Sequence, residues 1–318
     1  MPSPGTSQQP AFLELYSGWA STQMGGLLYG RAHKGQRPPL PTEGDELERK
    51  LHQSFLALEL HALAGAQVHL SGFPSAGVMS ADANGFLTVS LPAGMPPGPI
   101  RITAQLLEPH YTAPEASTTV SVVGTTAPTL GVISDIDDTL TDTQIAHKLE
   151  VLKNTFFHNT YDVQIFAHAA QVIAAVAGAD SALVPVLPVF YLSGSPWSLH
   201  ERISDAFDRV GLPHGAMILR RYSQEPLDPF EFKRPHLLEI VDAYPGRMWI
   251  LFGDSGEKDP EVYHALIQAR PNVAAAVFIH NVTESDPQDP RFDGFTTFSD
   301  WGETLPHLQE KGFMSRSG

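Results

Sequence analysis

A mostly apolar run, Leu130-Gly131-Val132-Ile133-Ser134, ends in three acidic residues within four positions: Asp135, Asp137 and Asp138. The run is long enough for a buried parallel strand, and in open α/β sheets the carboxyl end of a strand is where ligands bind. Several carboxylates buried at such a tip cost free energy unless a cation or a proton compensates them. The stretch therefore predicts a metal-assisted site. The chain has no cysteine, so thiolate ligands, cysteine nucleophiles and disulfides are excluded, and oxygen or histidine must ligate any metal.

The flanking pattern fixes the fold class. After Thr129, strands are predicted at Leu130–Asp135, Val186–Ser193, Ala216–Leu219, Met248–Gly253 and Val273–His280. Helices fit near Val163–Ala177, Trp197–Val210, Arg234–Ala243 and Pro260–Gln268, with a last one after Trp301-Gly302. This alternation implies an α/β, mostly parallel, doubly wound sheet. Residues 66–123 read differently, as short alternating strands at Gln67–Leu70, Gly85–Leu91, Ile100–Leu107 and Ser117–Val123, with Asn84-Gly85 as a hairpin signal. The expected organisation is a β-rich domain over 1–128, with a β-sandwich at about 64–124, then an α/β domain over 129–318. Residues 1–10 read as a lead, Ala11 to Lys34 as short strands, Gly35 to Pro41 as a loop, Glu43 to Leu60 as a helix and 124–128 as a linker.

Two further predicted strands end in chemistry-bearing residues. Tyr191-Leu192 runs into Ser193-Gly194-Ser195, and Leu251-Phe252 into Gly253-Asp254. Glycine lets backbone amides approach an anion. Hard oxygen ligands at Asp135, Asp137 and Asp254 suit Mg²⁺, and Lys233 stands where a helix is expected to begin. Anion site, metal and carboxylate nucleophile together suggest phosphoryl transfer through an aspartyl-phosphate. Asp135 would attack phosphorus, and Asp137 would protonate the leaving oxygen and then deprotonate the hydrolytic water. Ser193, Gly194 and Lys233 would hold the phosphate oxygens.

Asp135-Ile136-Asp137-Asp138-Thr139 after an apolar strand resembles the signature of haloacid dehalogenase superfamily phosphatases, with Ser193, Lys233 and Gly253-Asp254 plus Asp259 at the positions of its other motifs. More narrowly, Ser134–Thr139, Tyr191-Leu-Ser-Gly-Ser-Pro-Trp197, Phe232-Lys233 and Gly253-Asp-Ser-Gly-Glu-Lys-Asp-Pro-Glu-Val-Tyr263 resemble the catalytic domain of actin-patch-protein type phosphatidate phosphatases. The resemblance covers about Leu130 to Thr283, and His280 departs from it where an arginine is expected. It implies a Rossmann-like haloacid dehalogenase domain and Mg²⁺-dependent hydrolysis of a phosphomonoester, with phosphatidate the first substrate to test. Asp135 then matches the nucleophile, Asp137 the acid/base with its carbonyl on the metal, and Asp254 a ligand. For Asp259, ligation and helix capping stand side by side.

The spacing from Thr139 to Ser193 allows a helical flap over Asp142 to Tyr161 but no large cap, and an open site suits a phosphate presented on a membrane surface. The alternatives are a nucleotide, a nucleic-acid end or a phosphoprotein as substrate, and an inactive interaction protein. A formal charge of −15 over 318 residues argues against tracking nucleic acid or adsorbing to anionic lipid. A lipid contact would then need apolar insertion or a local patch such as Arg220, Arg221, Lys233 and Arg234. Met1-Pro2-Ser3-Pro4-Gly5 does not read as a secretory signal, and no apolar run reaches the roughly 18–20 residues of a membrane span. The expectation is a cytoplasmic protein, peripheral to a membrane if its substrate is a lipid.

Overall fold

The computed structural model describes residues 8–39, 60–124, 129–137, 139–140, 163–179, 187–222 and 224–314. The chain divides into two compact units, Met1–Thr126 and Ala127–Gly318. The helix expected after Glu43 falls outside the described residues except for Leu60. The flap at 142–161, Asp138 and residues 125–128 of the linker also lie outside them.

In the first unit the described strands are β1 (Gln9–Leu15), β2 (Trp19–Ser21), β3 (Gly25–Lys34), β4 (His61–Ala62), β5 (Gln67–Ser71), β6 (Val78–Ser80), β7 (Phe86–Leu91), β8 (Gly98–Leu106), β9 (Tyr111–Thr112) and β10 (Ala116–Val123). They form one hydrogen-bonded network in the order β6-β5-β8-β10-β2-β3-β1-β9, with β4 and β7 branching from β3. Period-2 burial in β5, β7, β8 and β10 turns one side of each strand inward. Leu28, Val68, Leu87, Ile102, Val120 and their neighbours form a single apolar core.

Two readings are corrected here. The sheet does not wait until residue 64: β1 to β3 belong to it, and Gln9 and Pro10 are strand rather than lead. The branching that recruits them is long-range pairing, which local periodicity does not carry. Asn84-Gly85 does not join a laddered hairpin either, because β6 pairs with β5 while β7 pairs with β3. Asp82 closes that turn locally, its Oδ1 accepting the amides of Asn84 (2.7 Å) and Phe86 (2.9 Å).

The second unit runs β11 (Leu130–Asp135), α1 (Val163–Ala177), β12 (Val189–Pro196), α2 (His200–Val210), β13 (Ala216–Arg220), α3 (Pro229–Ala243), β14 (Met248–Asp254), α4 (Asp259–Ala269), β15 (Ala274–His280), β16 (Thr296–Phe298) and α5 (Thr304–Glu310). Every neighbouring pair in the sheet β13-β12-β11-β14-β15-β16 is parallel. The chain steps outward from β11 in one direction, then returns to its other side. Right-handed crossovers in opposite directions put helices on opposite faces, and α1 packs with α2 while α3 packs with α4. Strands covered on both faces need apolar residues throughout. Val132, Ile133, Trp249, Ile250, Leu251 and Phe252 are accordingly all fully buried, each worth roughly 1.5–3 kcal/mol for the aliphatic and phenyl side chains.

This order reverses between β11 and β14, and ligands in such sheets bind beyond the strand tips at that crevice. The tip of β11 is Asp135 and the tip of β14 is Asp254.

Candidate active site

Lys233 is the electrostatic centre of the crevice. Its helix begins earlier than the hydrophobic spacing suggested, because Asp228 caps it by accepting the Glu231 amide (3.1 Å) and Pro229 occupies the first helical position. Lys233 thus lies a full turn inside α3 and is buried. Its Nζ is 2.7 Å from Asp135 Oδ1, 2.6 Å from Asp259 Oδ1 and 2.9 Å from Glu257 Oε2. Only the Asp259 contact is also aligned as a hydrogen bond. Burial disfavours the ammonium, but the surrounding carboxylates, Asp135 foremost, outweigh it and hold Lys233 charged, well above the ordinary lysine range.

Asp254 and Asp259 are joined by their loop. Asp254 Oδ1 accepts the amides of Gly256 (2.6 Å) and Glu257 (2.8 Å), and Asp259 Oδ2 accepts the Asp254 amide (3.1 Å). Gly253 makes this closeness possible, since a Cβ there would stand 2.7 Å from Asp259 Cβ. Asp259 makes no capping bond to α4. Its oxygens go instead to Lys233 and the Asp254 backbone.

Asp135 and Asp254 keep oxygens with no hydrogen-bond partner although both groups are buried. Burial, followed by neighbouring charges, pushes both carboxyls well above the usual carboxylate range; for Asp135 Lys233 opposes this, while for Asp254 the charge of Asp259 adds to it. One carboxylate oxygen from each of Asp135, Asp254 and Asp259 lies within 4.8 Å of the others. Three buried hard-oxygen donors, two of them with unpartnered oxygens, fit a divalent cation.

Asp137 is held differently. Ser193 Oγ donates to its Oδ2 (2.5 Å) and Ser195 Oγ to its Oδ1 (3.4 Å), while the Ser195 amide donates back to Ser193 Oγ (2.8 Å). The two serines come into line because the β12–β13 register breaks between Leu192 and Pro196, where Ser193, Gly194 and Ser195 bulge. Burial, with a smaller push from Glu257, raises the Asp137 carboxyl to about 6 against the hydroxyls' pull. Ser193 caps no helix: the turn at Trp197–Leu199 follows Pro196 without a side-chain cap.

The structure thus brings Asp135, Lys233, Asp254 and Asp259 into one cluster and links Ser193 to Asp137. Gly194 lies against Arg220, where an added Cβ would be 2.9 Å from Nη2. The anticipated basic patch is not a surface patch. Lys233 and Arg220 are buried, Arg221 pairs with Glu225 at 3.4 Å, and only Arg234 is exposed.

Two participants escaped sequence reasoning. Glu257 stands in the loop after Asp254 with no spacing that marks it as a site residue, although a lysine facing two aspartates leaves room for a third carboxylate. Arg291 donates to the carbonyls of Ser255 (2.9 Å) and Glu257 (3.0 Å) and to Glu261 Oε2 (3.0 Å), bracing the loop that carries Asp254 and Glu257. His280 is half-buried and stacks on Phe298.

Comparison with known proteins finds a family model that resembles this segment. Residues 130–281 match the model described as phosphatidate phosphatase APP1, catalytic domain. The chain is 30% identical over 172 residues to the Saccharomyces cerevisiae protein called phosphatidate phosphatase APP1, an alignment covering 52% of this chain and 28% of that protein. It is 25% identical over 158 residues to an uncharacterized Schizosaccharomyces pombe protein, covering 48% of this chain and 25% of that one. The matched part is thus about a quarter of the length of these relatives. A solved carbohydrate acetylesterase from Xanthomonas citri aligns over 82% of this chain and 57% of its own at 14% identity, with a TM-score of 0.29, too low to carry an argument.

Proposed function

We infer the function from the match of residues 130–281 to the model of the phosphatidate phosphatase APP1 catalytic domain, and propose a phosphatase that hydrolyses phosphomonoesters through an aspartyl-phosphate. In this reading the fold is that of the haloacid dehalogenase superfamily and phosphatidate is the first substrate to try. The observation that carries it is the buried Asp135 at a strand tip, 2.7 Å from a buried lysine and with one oxygen free of any partner.

The chemistry runs as follows. A carboxylate oxygen of Asp135 attacks phosphorus and the bond from phosphorus to the ester oxygen breaks. Asp137, held by Ser193 and Ser195, gives its proton to the departing oxygen. A carboxyl poised at about 6 can both give and recover a proton near neutrality. Asp137 then takes a proton from water as that water attacks phosphorus, releasing phosphate and restoring the Asp135 carboxylate. Lys233 keeps Asp135 oriented and its charge partly balanced until the phosphoryl group arrives. The bulge at Ser193–Ser195 offers backbone amides to the phosphoryl oxygens. Asp135 and Asp254, with Asp259 adjoining and the Asp137 carbonyl as a further ligand, would hold Mg²⁺, which when bound would supply the charge neutralisation that lets a carboxylate approach a phosphate.

A lipid substrate is favoured by the loop between β13 and α3, which exposes Leu227 (61%) and Tyr222 (37%) beside the crevice. No helix among the described residues is long and apolar enough to cross a membrane. The purified chain with Mg²⁺ should release phosphate from phosphatidate in mixed micelles and from an aryl phosphate. Turnover of soluble nucleotides but not phosphatidate would sink the lipid assignment, and no turnover of any phosphomonoester would leave an interaction protein.

A further inference from the structure

Lys233 enters this crevice already committed. An ammonium has three donors, and three carboxylates stand within 2.9 Å of it. The groups facing the crevice therefore carry more negative charge than this one lysine balances, Mg²⁺ when bound would be taken up by the same carboxylates, and an incoming dianion would gain from a further cation.

Arg220, the last residue of β13, has the properties of that cation. It is buried, with 6% of its surface exposed. Its Nη1 donates to the Leu227 carbonyl (3.0 Å), its Nε is buried without a partner, and among the described residues no carboxylate pairs with it. A buried unpaired charge costs several kcal/mol, so its retention calls for an explanation. The guanidinium is gripped by rings instead of acids, 4.7 Å from the Phe232 centroid and 5.8 Å from that of Tyr222, which pre-organises it without neutralising it. It packs on Gly194 so closely that a Cβ there would meet Nη2 at 2.9 Å. Gly194 is the centre of the bulge whose flanking serines hold Asp137. Arg220 also lies near enough to Glu257 to help lower that carboxyl's pKa, behind the larger effect of Lys233.

We infer that Arg220 is a specificity-determining residue: its guanidinium binds the terminal oxygens of the substrate's phosphate group across Gly194, opposite Lys233. A fork of donors matches two oxygens of a phosphate dianion in a way a lysine does not. The identification of the anion as a phosphomonoester rests on the function proposed above; the anion site itself rests on the geometry of Arg220.

Inorganic phosphate is the probe, titrated calorimetrically into the wild-type chain, R220Q and R220K, beside aryl phosphate kinetics and melting curves without phosphate. Loss of a charge-assisted contact predicts phosphate affinity about 10- to 100-fold weaker in R220Q, with KM rising more than kcat falls. R220A should recover part of its affinity when guanidinium ion is added, which a structural staple would not do. Wild-type phosphate affinity in folded R220Q would overturn the proposal. If R220Q does not fold, R220K decides: it keeps the charge but not the fork, and affinity equal to wild type would equally overturn it. Weakened phosphate binding in R220Q together with a wild-type chain that hydrolyses no phosphomonoester would uphold the Arg220 site and remove the function reading instead.

Discussion

Both units bury charge, and they treat it in opposite ways. In the first, His33 is fully buried with Nε2 2.7 Å from Glu14 Oε2, the Tyr16 hydroxyl donates to the same oxygen at 2.9 Å, and Phe12 stacks on the imidazole at 4.6 Å. Burial holds His33 below its ordinary value against the pull of Glu14, so at neutral pH a neutral imidazole donates to a carboxylate. One carboxylate takes both donors there and leaves only the imidazole Nδ1 buried without a hydrogen-bond partner. In the second unit Asp135, Asp137, Asp254, Asp259 and Glu257 face one lysine, with oxygens and a guanidinium left over. A closed polar network stabilises a fold, whereas an open one holds places for atoms that arrive later.

The sharpest way to break this contrast is at Asp135. Asp135→Asn keeps the volume and removes the nucleophile, so turnover should fall on the order of 10⁴-fold while circular dichroism stays unchanged. Activity near wild type would show that the open oxygens serve another purpose. Next is Lys233→Ala, which leaves three carboxylates without their shared cation. It should lower unfolding free energy by about 3–5 kcal/mol in denaturant titrations.

Asp254→Asn sharpens the comparison by its sign. A carboxyl whose folded pKa lies above its unfolded value destabilises the fold as pH rises from the unfolded value through the folded one. At neutral pH that penalty is in force, so the amide should raise the melting temperature without Mg²⁺ while weakening Mg²⁺ binding about 10- to 100-fold. A lower melting temperature without metal would mean the cluster is a structural one. In the first unit the expectation is reversed: Glu14→Ala should cost about 1–3 kcal/mol and leave turnover untouched. The smallest effect is His33's pH dependence. Its folded pKa lies below 6.5, so its contribution is present above 6.5 and fades as the pH falls through that value toward the folded one. Melting curves between pH 7 and 5 should show this loss in the wild type and not in His33→Phe.

The same contrast explains what could be read in the sequence. The parallel strands were legible because burial on both faces forces continuous apolar runs, and an aspartate at the end of such a run is conspicuous. Asp135, Asp137, Ser193 and Asp254 were visible for that reason. The earlier start of α3 was signalled by Asp228-Pro229-Phe230-Glu231, a cap and first-turn pattern that hydrophobic spacing alone passes over. Arg220 was legible only as part of a candidate surface patch, and Glu257 and Arg291 not as site residues, because a loop or strand-end charge reads as solvated until tertiary packing buries it. The recruitment of β1 to β3 was hidden likewise, since Gly25–Lys34 meets β1, β2, β4 and β7 through pairings up to dozens of residues apart.

The central claim is that the open network exists to let Asp135 form a bond to phosphorus. Borohydride quenching during turnover of an aryl phosphate with Mg²⁺ reduces an acyl phosphate to an alcohol, and peptide mass mapping locates it. The account predicts homoserine at position 135, dependent on substrate and absent from Asp135→Asn. Phosphate release at the wild-type rate with Asp135 recovered unmodified, or homoserine at another carboxylate, would contradict it.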